Sequence, residues 1–288
     1  MNQNERLDYL VEQFAKDYEE SAGKTASRNN RTVMKYRRSD IPADAAGKRR
    51  VLRSMMNIRM PGMMPSSVLE VQDAYLQERA LENGIVQVAD IPTAADQGST
   101  RPQAEHISVW QGDITKLAAD AIVNAANSKM LGCFIPMHIC IDNCIHTFAG
   151  VQLRAECNQK MNELRAKYGP DYEQPTAVPL LTDGYNLPAK KVIHVVGPIV
   201  SDGLTKALEE DLANCYRNTL GMCRDNGIKS VAFCCISTGV FRFPNDRAAE
   251  IAVDTVQRWL DDTGYEIRVI FNVFKDEDRQ LYERLLKG

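Results

Sequence analysis

The sequence predicts a layered α/β fold in which helices cover a mainly parallel sheet, and two observations support this prediction. Short β-rich runs alternate with amphipathic helices from about residue 106 onward, which is typical of layered α/β domains. Glycine-containing and amide-rich segments follow several of these runs, and parallel sheets bind ligands at the carboxyl ends of their strands. The region before residue 90 has a mostly helical pattern instead. We therefore expect one main domain preceded by a helical unit.

Residues 1–89 are predicted to form this helical extension. Apolar residues recur at helical spacing near the start of the chain, at Leu7, Leu10, Val11 and Phe14. A further helix is expected between the capping sequence Pro65-Ser66-Ser67 and the stop signal Asn83-Gly84. Residues 90–105 have the Pro, Gly, Ser and Thr content of a linker. Residues 106–288 then make up the main domain, and the extension is expected to pack on it as a cap.

The main domain contains six strand candidates separated by helical segments. The strands are expected at Ile107 to Gln111, Ala121 to Ala125, Val178 to Thr182, Val192 to Gly197, Val231 to Ile236 and Ile267 to Phe274. Two intervening segments place apolar residues on one helical face, from Leu208 to Thr219 and from Ala249 to Leu260. Strands connected by such helices favour parallel pairing.

Composition and charge argue against a disordered or fibrous chain and against general binding to nucleic acid. Hydrophobic residues make up 44% of the chain and charged residues 25%, as in ordinary globular domains. The formal net charge of -3 gives no general attraction to nucleic acid. Neither a signal-peptide pattern nor an apolar run long enough to cross a membrane is recognisable, so the cytoplasm is the expected compartment. The eight cysteines are accordingly expected to be reduced thiols or metal ligands.

A basic cluster in the extension has two interpretations. It consists of Lys48, Arg49, Arg50 and Arg53. These side chains could form a docking patch for a partner, but a solvated helix face is the simpler explanation.

Three segments that follow predicted strands contain candidate ligand-binding residues. In Gln111 to Thr115, Gly112 permits close approach to the backbone and Asp113 supplies an acceptor. Val123 to Ser128 contains two asparagines suited to sugar hydroxyls. Ile236 to Phe241 offers small residues whose N–H groups can hold a phosphate. Taken alone, each segment is also explained as a turn or a helix cap.

The densest chemical cluster is a run of three cysteines and two histidines from Cys133 to His146. Thiolate and imidazole together favour zinc over harder ions such as magnesium. The spacing Cys133-x-x-x-x-His138-x-Cys140 therefore predicts a zinc site, whereas buried thiols and a core histidine are the alternative. Cys144 lies one helical turn beyond Cys140 and could complete a four-ligand structural site.

Four runs, taken in their order along the chain, resemble the MacroD-like class of macrodomains. They are GDITKLAADAIVNAANSKMLG, IDNCIHTFAG, GYNLPAKKVIHVVGP and ISTGVFRFP, and the resemblance extends over roughly residues 106 to 287. Where MacroD-type proteins have a glycine-rich stretch, this chain has the longer insert CFIPMHIC, which resembles the zinc-containing macrodomains of microbes. The resemblance implies a three-layer α/β/α fold with a mixed, mainly parallel central sheet and a bound Zn²⁺ ion.

The resemblance also assigns the metal ligands. Cys133, His138 and Cys140 lie in the insert and would bind zinc, leaving a fourth position open as in catalytic sites. Cys144 and His146 lie in a piece that resembles zinc-free macrodomains, so they would belong to helix packing.

Contacts with ADP-ribose are implied residue by residue. Asp113 and the backbone at Ile114 would hold the adenine end, and Phe274 would either line that pocket or fill the strand core. Asn127 would face the distal ribose, and Asp142 would position water or the ribose. The diphosphate would be held by Ser237, Thr238, Gly239, Val240 and Phe241.

The implied activity is the removal of mono-ADP-ribose from a modified protein by cleavage of an N- or O-glycosidic bond, with Asp142 and Asn127 as catalytic residues. Zinc would either orient the ribose or lower the pKa of a bound water, and the sequence favours neither role. A reader that binds ADP-ribose without cleaving it and a hydrolase of free ADP-ribose derivatives are the alternatives. The expected partner is an ADP-ribosylated protein, for which family context suggests a lipoyl-carrier protein. Neither nucleic acid nor a membrane is expected as a partner.

Overall fold

The extension consists of three helices in the computed structural model, which describes residues 1–25 and 41–287. The helices are α1 (Gln3–Thr25), α2 (Ala45–Ile58) and α3 (Ser66–Asn83). Helix α2 begins where the Asp44 carboxylate accepts a hydrogen bond of 2.8 Å from the main-chain N–H of Gly47. Residues 26–40 of the predicted extension lie outside the described residues.

The main domain is built on a six-stranded sheet with the order β2-β8-β7-β4-β6-β5. Its strands are β2 (Ile107–Gln111), β4 (Ala121–Ala126), β5 (Leu180–Asp183), β6 (Lys191–Val196), β7 (Ser230–Phe233) and β8 (Arg268–Val273). Within this sheet β5 runs antiparallel to β6, and the other neighbours are parallel. Two short strands, β1 (Val86–Gln87) and β3 (Leu117–Ala118), form a separate parallel pair. The predicted mixed, mainly parallel sheet is therefore confirmed.

Helices cover both faces of the sheet. They are α4 (Ile141–Ala149), α5 (Val151–Tyr168), α6 (Lys206–Asp225), α7 (Asn245–Thr263) and α8 (Asp276–Leu286). Phe233 and its cross-strand neighbour Phe271 point to one face, where their rings contact those of Tyr216 on α6 and Tyr282 on α8. By strand alternation, Asn124 points to the opposite face, which α4 and α5 cover. The fold is thus the predicted α/β/α sandwich.

The segment predicted as a linker, residues 90–105, packs closely on the main domain. Ile91, Ala94 and Ala104 are buried in the core. The main-chain N–H of Ala94 donates to the carbonyl of Ile107 (2.7 Å), and Ser108 Oγ donates to the carbonyl of Pro92 (2.7 Å). The segment therefore lies along the outer side of β2, although it contains neither helix nor strand beyond residue 90.

Two hydrophobic cores meet where the extension joins the main domain. The apolar faces of α1, α2 and α3 enclose one core, and this core also contains Val151 at the start of α5. The sheet and its covering helices enclose the other. Among the described helices, none combines the length and apolar composition needed to span a bilayer.

Candidate active site

The carboxyl ends of the five parallel strands bring the predicted ligand segments to one edge of the sheet. Across that edge the order is the Asp113 turn after β2, Phe274 after β8, the loop 236–241 after β7 and Asn127 after β4. The cysteine-containing insert and Asp142 follow the same β4 strand. All the predicted site residues therefore follow the carboxyl ends of the parallel strands, which is where such sheets bind ligands.

Asp113 caps the short 3-10 helix Ile114–Lys116, as the local interpretation of this segment predicted. One carboxylate oxygen accepts from the main-chain N–H (3.0 Å) and the hydroxyl (2.6 Å) of Thr115. Buried Asn272 supports the turn by donating to the carbonyl of Gly112 (3.0 Å). The side chain of Ile114 packs in the core, so that residue can offer only its backbone to a ligand.

Phe274 lies just beyond the end of β8, and its side chain is 78% exposed. The interpretation of this residue as strand core is therefore wrong. Its carbonyl accepts from the side-chain amide of Gln111 (3.2 Å), so its backbone lies close to the strand end that precedes the Asp113 turn, and its exposed ring is free to stack on a flat ligand.

The loop after β7 contains a left-handed residue and a run of N–H groups that make no hydrogen bond among the described residues. Ser237 has a left-handed backbone (φ +65°), and its carbonyl accepts from the N–H of Phe243 (3.0 Å). Across the described chain, no acceptor contacts the successive N–H groups of Gly239, Val240 and Phe241. A row of unpaired N–H groups after a left-handed residue is a typical phosphate cradle. The buried Ser237 hydroxyl likewise has no partner among the described residues.

Gly197, at the end of β6, allows this turn to form. A Cβ at this position would stand 2.1 Å from Ser237 Oγ, which is far inside van der Waals contact. Thr238 does not extend the row of unpaired groups, because its hydroxyl donates to the carbonyl of Cys235 (3.0 Å).

The Asp142 carboxylate lies in the first turn of α4 and is buried. It accepts from the side-chain amides of Asn124 (2.8 Å) and Asn127 (3.4 Å). Burial raises its pKa to about 6, against the lowering effect of the Asn124 hydrogen bond. Because its pKa is raised, this carboxylate accepts a proton more readily near neutral pH than an exposed aspartate does.

A chain of buried polar groups stands behind Asp142. The Asn124 amide also contacts His194 Nδ1 (3.0 Å), and His194 Nε2 contacts the Thr182 hydroxyl (3.0 Å). Burial lowers the pKa of His194 to about 3, so the ring is neutral and can accept from Asn124 while it donates to Thr182. His146 stands alongside, with Nε2 3.6 Å from an Asp142 oxygen. The bonds from Asn124 and Asn127, with His194 behind Asn124, fix the direction of the carboxylate, whereas the ring nitrogens of His146 make no hydrogen bond among the described residues.

Cys133, His138 and Cys140 come together as a candidate metal site. Their ligand atoms all lie within 4.8 Å of one another, and Cys133 Sγ is 3.6 Å from His138 Nδ1. Tetrahedral zinc bound by sulfur and nitrogen places such donors about 3.6 Å apart, so the donor set fits zinc. Cys144 is not part of this group, and its sulfur lies 3.6 Å from a guanidinium nitrogen of Arg53. The three-ligand arrangement is therefore the one that the geometry favours.

Comparison with known proteins identifies the family to which the chain belongs. A family model for the macro domain matches residues 123–252. A protein-ADP-ribose hydrolase of Treponema medium is 47% identical over 251 residues, covering 87% of this chain and 92% of the relative. The chain belongs to the macrodomain family. A protein-ADP-ribose hydrolase of Staphylococcus aureus strain Mu50 is 38% identical over 283 residues, covering 98% of this macrodomain protein and 95% of the relative. The similarity therefore includes the helical extension.

Solved macrodomains resemble the chain in structure as well. The Trypanosoma brucei macrodomain in complex with ADP-ribose has a TM-score of 0.60 and 27% identity, over 81% of this chain and 94% of that one. A mutant Oceanobacillus iheyensis macrodomain with ADPR has a TM-score of 0.56 and 36% identity, over 63% of this chain and 91% of that one.

Several residues that shape this macrodomain site were missed by sequence reasoning. Asn124 and His194 lie within apolar strand runs, and a polar residue inside such a run is the signal that could have revealed them. Arg53 was interpreted with its basic neighbours as part of a docking patch or solvated face. It instead donates to the carbonyl of His138 in the insert (2.9 Å), so that interpretation is wrong for this residue.

Proposed function

We propose that this macrodomain protein is a hydrolase that removes mono-ADP-ribose from modified proteins. The observation that carries the proposal is the order of groups along the sheet edge. An acidic turn and an exposed aromatic ring come first, an anion cradle follows, and a buried carboxylate with two amides ends the row. ADP-ribose presents adenine, diphosphate and distal ribose in the same order.

Each of these groups then contacts one part of the ligand. Asp113 accepts from the adenine amino group beside Phe274, and the N–H groups of residues 239–241 bind the diphosphate. Asn127 hydrogen-bonds the distal ribose. Asp142 orients a water molecule at the anomeric carbon and accepts its proton as the bond to the protein side chain breaks. The bond broken is an N- or O-glycosidic bond. The departing nitrogen or oxygen takes up the proton that Asp142 releases, and free ADP-ribose and the unmodified side chain are the products.

Zinc is part of the proposal. Bound by Cys133, His138 and Cys140, it would supply a Lewis-acidic position that can bind ribose hydroxyls or acidify a water molecule. Cys140 is the N-cap residue of α4, and Asp142 lies in the first turn of the same helix. One metal ligand and the carboxylate are therefore only two residues apart at one helix end. The fit of the three donors to tetrahedral coordination supports this part of the proposal.

Two other functions are distinguished by one assay. A reader would bind ADP-ribose without releasing it from protein, and a hydrolase of free ADP-ribose derivatives would act on its esters instead. The purified full chain is incubated with mono-ADP-ribosylated proteins, including a modified lipoyl-carrier protein, and with free ADP-ribose esters. Each reaction is run with and without a zinc chelator, and released ADP-ribose is measured.

We expect release from at least one modified protein and loss of release with the chelator. Release from esters alone would favour the free-derivative hydrolase. Binding without release in every reaction would exclude an enzyme. Full activity in the chelator, with metal analysis showing no bound zinc, would remove zinc from the mechanism and leave the hydrolase assignment intact.

A further inference from the structure

Residues 133–140, which contain the three candidate zinc ligands, are called the metal-binding loop below. Helix α2 of the extension contacts this loop through two polar side chains one helical turn apart, Arg53 and Asn57. Arg53 Nη2 donates to the carbonyl of His138 (2.9 Å) and to Oδ1 of Asn143 (3.1 Å). Asn57 Oδ1 accepts from the main-chain N–H of Met137 (3.0 Å). Side chains four residues apart share one helix face, so both reach the same loop from one side.

Asn143 transmits the Arg53 contact to the loop. Its Nδ2 donates to the carbonyls of Cys133 (3.3 Å) and Ile135 (3.0 Å), and its main-chain N–H donates to Cys140 Sγ (3.4 Å). An amide side chain can be turned with either end toward the loop. Because Arg53 can only donate, its bond to Oδ1 makes the Nδ2 end of Asn143 face the loop carbonyls.

Asn57 acts at the most strained point of the loop. Met137 has a left-handed backbone (φ +58°), which is costly for a residue with a side chain, and it immediately precedes His138. Asn57 is buried and also donates to the hydroxyl of Thr147 (2.8 Å), which in turn donates to the carbonyl of Asn143 (2.7 Å). The conformation that directs His138 is thereby tied to both α2 and α4.

We propose that Arg53 and Asn57 are positioning residues of the metal site. They hold the backbone of the loop so that Cys133, His138 and Cys140 stand within coordinating distance of one another. The inference rests on the zinc-dependent function proposed above, and it gives the helical extension a specific task in that function. Neither side chain donates to a ligand atom, so both act through the backbone and through Asn143.

The test compares zinc affinity and coordination geometry in full-length variants. Arg53→Met and Asn57→Ala are prepared with Arg50→Met, which changes an exposed arginine of the same helix, as matched control. Zinc affinity is measured by competition with a chromogenic chelator, and the visible absorption of the Co²⁺-substituted proteins reports tetrahedral geometry. We expect Arg53→Met and Asn57→Ala to bind zinc about 10- to 100-fold more weakly, as outer contacts of metal ligands do when removed. Their cobalt bands should weaken, and Arg50→Met should match the wild type.

Circular dichroism and ADP-ribose binding show whether each variant is folded. Should Asn57→Ala unfold, Asn57→Asp keeps the acceptor for Met137, and we expect a smaller loss of affinity from it. Wild-type zinc affinity and cobalt spectra in folded Arg53 and Asn57 variants would overturn the inference. A wild-type protein that binds no zinc would overturn both the inference and the zinc part of the proposed function. A zinc-loaded wild type that releases no ADP-ribose would overturn the proposed hydrolase alone.

Discussion

The carboxylate of Asp142 owes its properties to the residues around it. Two amides donate to it, and the neutral ring of His194 stands behind the nearer amide, Asn124. A buried carboxylate with two neutral donors and no direct cation keeps a raised pKa while its direction stays fixed. The hydrogen bonds from the two amides therefore orient the carboxylate, whereas its burial raises its pKa.

Asp142→Asn should abolish most turnover and leave binding intact. The variant has nearly the same shape but cannot accept a proton, and general-base contributions are about 100-fold or more. Single-turnover release of ADP-ribose measures the first effect, and calorimetric titration with ADP-ribose measures the second. Asp254→Asn, on the exposed face of α7, is the control. Turnover within threefold of the wild type would contradict the role given to Asp142.

The buried His194 predicts a loss of stability in mild acid. Its pKa is lowered to about 3 in the folded protein and is about 6.5 in an unfolded chain. Between these values the unfolded state binds more protons, so the free energy of unfolding decreases as the pH falls. From pH 7 to pH 5 the expected decrease from this histidine is about 2 kcal/mol.

Urea unfolding at both pH values measures this effect in the wild type and in His194→Gln. The glutamine cannot titrate, so the difference between the two pH values should be smaller in the variant. The same difference in both proteins would show that His194 titrates normally.

At the scale of loops and strands, the ends of two strands that flank β4, namely β6 and β7, depend on each other. Ser237, which has a left-handed backbone after β7, packs its hydroxyl against Gly197, the residue that follows β6, in space that a side chain there would occupy. The conformation of the loop proposed to bind the diphosphate therefore depends on residues after two different strands.

Gly197→Ala should weaken ADP-ribose binding by at least about tenfold, which corresponds to about 1.4 kcal/mol. The new methyl group would displace Ser237 and with it the N–H groups of the cradle. The double variant Gly197→Ala with Ser237→Gly removes the colliding hydroxyl and should recover part of the affinity. Titration calorimetry on the single and double variants tests this coupling, and equal affinities in both would argue against it.

The strands could be predicted closely because their β-rich runs are local signals, and the differences have local causes. The strand predicted from Val178 begins at Leu180 because Pro179 has no N–H to donate to a ladder. The strand predicted to reach Ile236 ends at Phe233, where the chain turns into the ligand loop. The strand predicted to include Phe274 ends at Val273.

The contacts around the site were less accessible from sequence. Arg53 and Asn143 are 90 residues apart, and nothing local to α2 indicates that one of four neighbouring basic residues turns inward. The insert could be recognised from its cysteines and histidine, whereas the side chains that hold its backbone could not. Such pairings arise from packing between units and carry no periodic signal.

At the scale of the whole molecule, Arg154 on α5 connects the extension to the main domain. It is buried and donates to the carbonyls of Leu131 (2.8 Å) and Met56 (3.0 Å). Its guanidinium also lies over the ring of Phe134, 4.3 Å from the ring centre. One side chain thus joins α2, α5 and the beginning of the insert.

Arg154→Met should lower the free energy of unfolding by about 2–4 kcal/mol, because the carbonyls of Leu131, Met56 and Arg59 lose their charged donor. Chemical denaturation followed by circular dichroism measures the change. Lys160→Met, on the same helix but more exposed, is the control and should stay within about 0.5 kcal/mol of the wild type. A loss for Arg154→Met no larger than that of the control would mean that Arg154 does not contribute measurably to holding the two units together.

The irregular segment along β2 has a consequence for behaviour at high concentration. β2 is an outer strand of the sheet, and exposed outer strands are templates on which further chains add and aggregate. On that side the main-chain N–H of Ala94 donates to the carbonyl of Ile107. Arg268, on the adjoining strand β8, donates to the carbonyl of Ile91 and to the hydroxyl of Ser108. Residues 90–105 thus shield part of the outer side of β2 from other molecules, and shortening them would expose that strand to intermolecular strand addition.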